Sequence, residues 1–137
     1  MTAWAKSLIR LTNYEVETLQ KRMAEISARR ADAEMKLVML DAEAEGEKAN
    51  ASSDPQHAAM LRAYLQGWKL RRANAEGMIE ALKREEEGAR DALTAAFEEL
   101  KKFEHVAEMA RLEARVQANR REAATFDEMG LRRRNAG

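Results

Sequence analysis

The chain has 137 residues, of which 24 are Lys or Arg and 24 are Asp or Glu, so its formal net charge is zero; 35% of residues are charged and only 5% aromatic. A neutral balance speaks against a general nucleic-acid binder, which needs a cationic surplus. The absence of cysteine excludes disulfides and thiolate sites, and six glycines and one proline in so charged a chain point to one domain of long helices.

Residues 1–11 carry Lys6 and Arg10, and Glu15 and Glu17 follow soon after, which is not the pattern of a secretory signal. No stretch reaches the roughly 18 apolar residues needed to span a bilayer. The expectation is a soluble, cytoplasmic protein with no anchor of its own.

Helix 1 is predicted over about 2–48, with Thr2 as its N-cap. Within it, core-type positions recur at alternating steps of three and four: Ile9, Thr12, Val16, Leu19, Met23, Ile26, Arg30, Ala33, Leu37, Leu40, Ala44. A period of about 3.5 residues sustained this long, with charges between, is the signature of helices that supercoil around each other.

The polar stretch from Asn50 to Pro55 reads as the turn, predicted over about 49–55. Ser53 or Asp54 supplies the next N-cap, and Pro55 is tolerated in the first helical turn. Helix 2 is predicted over about 56–133. Its seam reads Leu65, Trp68, Arg72, Ala75, Ile79, Leu82, Glu86, Ala89, Leu93, Ala96, Leu100, Phe103. Gly67, Gly77 and Gly88 lie off this seam. Each costs about 1 kcal/mol relative to alanine, and they mark either tolerant outer positions or some flexibility.

A short turn between long amphipathic helices makes them antiparallel neighbours. The fold class expected is therefore all-α: an antiparallel coiled-coil hairpin with helix 2 the longer. Equal counting from Ser53 sets Trp4 near Lys102, with helix 1 about 70 Å and helix 2 about 115 Å long. Roughly the last 30 residues of helix 2 then have no partner strand. After Phe103 the large apolar residues fall at Val106, Met109, Leu112, Val116 and Phe126, out of step with the earlier register. An apolar stripe without an intramolecular partner is a candidate interface, a self-association surface or a fold-back segment.

Signatures of enzymatic chemistry are missing. Neither His57 nor His105 sits in a Glu-x-x-His or His-Glu-x-x-His pattern, and no phosphate-cradling Gly-x-x-x-x-Gly-Lys loop occurs. No catalytic, cofactor or metal residue is assigned. The run Glu85, Glu86, Glu87 reads as a solvated face, although Glu86 occupies a seam position, as Arg30 does in helix 1. Taken as equally far from the turn, the two become cross-seam partners that would set register. Basic clusters occur at Arg29-Arg30, Arg71-Arg72 and Arg132-Arg133-Arg134; the last complements a helix C-terminus or meets an acidic partner. Met35, Met39, Tyr64 and Leu70 miss the seam and could form one exposed patch near the turn.

Lys101-Lys102-Phe103-Glu104, followed by Arg120-Arg121-Glu122 and Phe126-Asp127-Glu128 with trailing arginines, resembles the C-terminal pattern of the flagellar export FliJ family, which has type III secretion relatives of the YscO type. The stretch Leu61, Tyr64-Leu65, Trp68 is similar to that family's start of helix 2. Ala123, Ala124 and Gly130 depart from the family pattern. The resemblance implies a non-enzymatic export component, a stalk that enters and activates the export ATPase hexamer. It also implies contact with the cytoplasmic domain of the export gate and with substrate chaperones, hence membrane association only through partners; nucleic acid, which the arginine clusters could otherwise suggest, is set aside on the zero net charge. Carried over by position, the ATPase-contacting end comprises Phe103, Arg120, Glu122, Phe126, Asp127, Glu128 and Arg132. The gate-contacting surface comprises Leu40, Tyr64, Trp68 and Arg72. The competing reading, from another class, is a structural self-associating coiled-coil spacer or adaptor.

Overall fold

The computed structural model describes residues 3–51 and 53–136. It contains two helices, α1 over Ala3–Asn50 (48 residues) and α2 over Pro55–Ala136 (82 residues), and no strand among the described residues. The expected all-α hairpin with the longer second helix is observed. α1 ends two residues beyond its predicted bound, and α2 starts one residue earlier and ends three later than predicted, leaving a connection of only four residues, 51–54. Polar residues near a helix end are weak terminators, so the pattern runs on until the next cap. That cap is Asp54, whose Oδ1 accepts from the Gln56 N–H at 3.2 Å, with Pro55 as the first helical residue. The Thr2 cap expected for helix 1 lies outside the described residues.

Contacts divide the chain into two units, Thr18–Leu93 and Met1–Glu17 together with Thr94–Gly137. The first unit holds the hairpin turn. Its buried apolar residues are Ile26, Ala33 and Ala44 from α1 and Ile79, Leu82 and Ala89 from α2. Ala33, Ile79 and Leu82 form one cluster, with Leu37 packed against it. In the second unit Ala5, Thr12 and Val16 of α1 and Ala96 and Leu100 of α2 are buried. Every seam position read from the sequence is buried or half-buried in its unit. Half of the buried apolar residues are alanine, so each large side chain supplies a disproportionate share of the apolar area removed from water.

Two buried seam positions are polar, and each is satisfied. The Thr12 hydroxyl donates to the Leu8 carbonyl at 2.7 Å, within its own helix. Glu86 is only 7% exposed. Its Oε2 accepts from Arg30 Nη1 at 3.1 Å across the seam, and its Oε1 accepts from Arg90 at 3.2 Å. Arg30 also donates to Glu34 at 3.1 Å, and Arg29 lies 3.7 Å from Glu85. The Arg30–Glu86 partnership expected from the sequence is therefore present, but not at equal distances from the turn: Arg30 lies 23 residues before Ser53 and Glu86 33 after it. The Glu85–Glu87 run is not a uniform solvated face, since Glu86 is buried, Glu85 half-buried and Glu87 exposed.

The same offset recurs elsewhere. Arg72 binds Asp41, 17 residues after Pro55 but only 9 before Asn50. In the second unit Lys6 and Ile9 share a shallow groove with Glu104, Ala107, Glu108 and Arg111. The start of α1 thus lies about two helical turns further along α2 than the level of Lys102. The cause sits at the hairpin end, where the first turns of α2 run past the end of α1. The seam also does not stop at Phe103. It continues in the same steps of four and three as half-buried Ala107 and Ala110. A search for large apolar residues passes over alanine, and the seam tapers through it.

Gly77 and Gly88 are exposed, and a Cβ at either would meet nothing within 4 Å. Gly67 is half-buried but equally open at that point. All three are tolerant positions. Gly77→Ala and Gly88→Ala are each expected to stabilise the fold by about 0.5–1 kcal/mol, because alanine restricts the unfolded chain and meets no clash. Urea midpoints of the single and double variants check this, and destabilisation in either would contradict it.

Candidate functional site

Two surfaces carry the residues singled out in the sequence, one in each unit. At the hairpin end, Tyr64, Trp68 and Arg72 follow one another on successive turns of α2, and Asp41 and Lys48 meet them from α1. Arg72 forks onto Asp41, with Nε to Oδ1 at 3.0 Å and Nη2 to Oδ2 at 3.3 Å, and also bonds Glu76 one turn on. These carboxylates hold the guanidinium above its ordinary pKa, the Asp41 hydrogen bonds first. The Arg72 guanidinium lies 6.0 Å from the Trp68 ring centre and the Lys48 ammonium 5.7 Å from it, while Arg71 lies 5.4 Å from Tyr64. Trp68 therefore meets two cations, an arrangement the negative face of the indole favours. The Tyr64 hydroxyl and the Trp68 indole N–H are covered and make no hydrogen bond.

The four residues Leu40, Tyr64, Trp68 and Arg72 all belong to this end, each half-buried. Tyr64 is part of the packed end of the hairpin and not of an exposed patch. Its position one residue before Leu65 hid this, since at the end of a two-helix pair the apolar stripe widens beyond the strict seam. Met35, Met39 and Leu70 are exposed as expected. Val38 and Met60 are exposed as well and escaped the sequence reading. The signal for Val38 was its place three residues after Met35, beside Met39, on one helical face.

The second surface is α2 beyond Ala110. Every residue from Arg111 to Ala136 is exposed, about seven turns of helix. Of the seven residues assigned to this end, Phe103 is set apart. It is a half-buried seam residue, whereas Arg120, Glu122, Phe126, Asp127, Glu128 and Arg132 are all exposed. Phe126 is 73% exposed and shares a shallow face with Met129, Glu122 and Arg121. Arg132 pairs with Glu128 at 3.2 Å one turn earlier. Arg133 and Arg134 occupy the last turn of α2, where cations complement the helix dipole. At the start of this stretch Arg111 clamps Glu108 at 2.7 Å and holds that carboxyl below its usual range through hydrogen bonding.

The basic clusters are largely absorbed within the chain: Arg29 and Arg30 by Glu85 and Glu86, Arg72 by Asp41 and Glu76, Arg132 by Glu128. Among the described residues no group of His, Asp or Glu gathers as metal ligands, and no helix is long and apolar enough to cross a membrane.

The fold is that of an all-helical hairpin protein whose second helix is much the longer and ends in a long exposed segment. The chain belongs to the flagellar FliJ family: the model of that family, described as "Flagellar FliJ protein", matches residues 6–136. Two relatives carrying the same description come from Caulobacter vibrioides, strains NA1000 / CB15N and ATCC 19089 / CIP 103742 / CB 15. Each is 54% identical over 137 residues, covering 100% of this chain and 99% of the relative. No solved structure matches the chain.

Proposed function

We propose that this chain is a non-enzymatic component of the flagellar type III export apparatus, acting as a stalk at its cytoplasmic side. In this reading the bare segment of α2 enters the export ATPase ring and activates it. The hairpin end, around Leu40, Tyr64, Trp68 and Arg72, engages the export gate, and substrate chaperones use the remaining surface. Family membership supports the flagellar setting. The observation that carries the stalk reading is the bare segment itself, with Phe126, Met129 and Leu131 exposed and no partner helix among the described residues. Isolated helices gain little from propensity alone, so a segment of this length kept free of cover is suited to completion by a partner. At the hairpin end the inner faces of Trp68 and Arg72 are occupied. A gate contact would therefore use their outer edges with Met35, Val38 and Met39.

Deleting residues 111–137 leaves every seam residue in place. The truncated chain is expected to keep a cooperative helical melt by circular dichroism and to lose stimulation of the export ATPase. Phe126→Ala in the full chain is expected to reduce that stimulation several-fold without changing the melt. Undiminished stimulation by the truncated chain would overturn the stalk reading.

A further inference from the structure

The end of α2, from Met109 through the bare segment, carries a second heptad stripe that the hairpin does not use. Met109, Leu112, Val116, Asn119, Ala123, Phe126 and Gly130 follow one another in steps of three and four. This stripe is offset by two residues from the seam ending in Ala107 and Ala110, which is about 200° around the helix. It faces away from α1, so another helix can lie along it without meeting the hairpin partner. Met109, Leu112, Val116 and Phe126 on this stripe are all exposed.

The charges flanking the stripe say which helix fits. Arg115 and Glu122 lie along one side of it, Arg120 and Asp127 along the other. None of the four has an opposite charge three or four residues away, the spacings at which helix neighbours meet. None makes an ion pair in the structure, in contrast to Glu108–Arg111 and Glu128–Arg132 nearby. Flanking charges of this kind set partner and orientation in coiled coils. On a second copy laid parallel and in register, the flanking contacts would be Arg115 with Arg120 and Glu122 with Asp127, all repulsive. A staggered parallel pair is not symmetric and does not close.

For an antiparallel pair the hairpin itself supplies the rule. Ala33 of α1 packs with Ile79 of α2, and Arg29, four residues before the one, meets Glu85, six residues after the other, at 3.7 Å. Setting Asn119 level with the second copy's Val116 brings Arg115 to the second copy's Glu122 by the same relation, twice by symmetry. The apolar layers are then Met109 with Phe126 and Leu112 with Ala123. Sliding one heptad in one direction sets Glu122 against itself. Sliding one heptad in the other sets Arg115 against itself and Glu108 against Glu122.

We infer that the bare segment of α2 pairs with that of a second copy, antiparallel and two-fold symmetric, in the register that sets Asn119 against Val116 and Met109 against Phe126. Like-charge contacts in the neighbouring registers supply the specificity, and a self-complementary patch closes at two copies. The polar Asn119 near the symmetry axis lowers the affinity while favouring one register, so the pairing is reversible. It occupies the same segment as the proposed ring contact but does not depend on that contact. A free, paired pool and a ring-bound single copy would exclude each other.

Light scattering on the full chain tests the pairing. The mass is expected to rise from 15.5 kDa towards twice that as concentration is raised from the low micromolar into the submillimolar range. Two variants test the register. Arg115→Glu and Glu122→Arg each place like charges at both copies of the flanking contact and are expected to remain single at every concentration. Mixed in equal amounts they restore both attractions, and the mixture is expected to double in mass. Circular dichroism of each variant confirms that the helices persist. A wild-type chain that stays single throughout the range would overturn the pairing. Variants that double alone, or fail to double when mixed while the wild type does, would overturn the register. ATPase stimulation plays no part in either readout, so loss of the stalk reading would leave this result standing.

Discussion

Replacing Leu82 with alanine is expected to destabilise the hairpin by about 3 kcal/mol, among the largest effects of any single truncation in the Thr18–Leu93 unit. Leu82 is 5% exposed and shares a cluster with Ala33 and Ile79. A core of two helices and many small residues has few atoms available to collapse into the space left behind, so the cost sits in the middle of the range for such truncations rather than at its foot. The melting temperature should fall by roughly 10 °C. Leu70→Ala, on the same helix but exposed, should change it by no more than roughly 2 °C. Thermal melts of the two variants side by side make the comparison. Equal effects would mean that α2 does not turn Leu82 inward and Leu70 outward.

The second large effect concerns register. Glu86 is the buried anion that Arg30 reaches from α1 and Arg90 from one turn along α2. Glu86→Lys places three cations around one point of the seam, and a melting-temperature fall on the order of 10 °C is expected. Arg30→Glu alone sets two carboxylates against each other and is also expected to destabilise. Combining Arg30→Glu with Glu86→Arg restores an opposite pair across the seam, so the double variant should be more stable than either single one. A double-mutant cycle reads this directly. Additive effects would remove Arg30 and Glu86 as a register-setting pair. Replacing both by leucine is a different experiment. It exchanges an ion pair for apolar packing and should leave stability equal or higher, but with less discrimination between registers.

How far these features could be read from residues alone differs from place to place. The seam was legible almost throughout, because a period of about 3.5 residues defines only one face of each helix. The Arg30–Glu86 pair was legible because opposite charges interrupt the apolar period in the two helices. Its level was not, and neither was that of Trp4. Counting outward from the turn assumes that both helices start at the same height, and four connecting residues with a capped Pro55 let α2 start early. The continuation of the seam through Ala107 and Ala110 was missed because alanine carries little hydrophobic signal of its own. Tyr64 was misplaced because a half-buried aromatic at the end of a pair can lie beside the seam.

For the candidate sites the same division holds. That residues near Leu40, Tyr64, Trp68 and Arg72 matter was suggested by family likeness. That Trp68 meets both Lys48 and Arg72, with Arg72 forked onto Asp41, required coordinates, because the contacts to α1 join side chains far apart in the chain. The bare segment of α2 was expected, but its limits and the separation of Phe103 from its companions came only with burial.

Local periodicity, helix propensity and capping are short-range properties, so the amino-acid order by itself determined two long helices, the face each turns inward and the turn between them. Relative height, the depth to which Glu86 is buried and the point where cover ends are sums over many cross-helix contacts. The tertiary structure alone decided them, because a shift along a repeating seam preserves the pattern and changes only which charges and side chains meet.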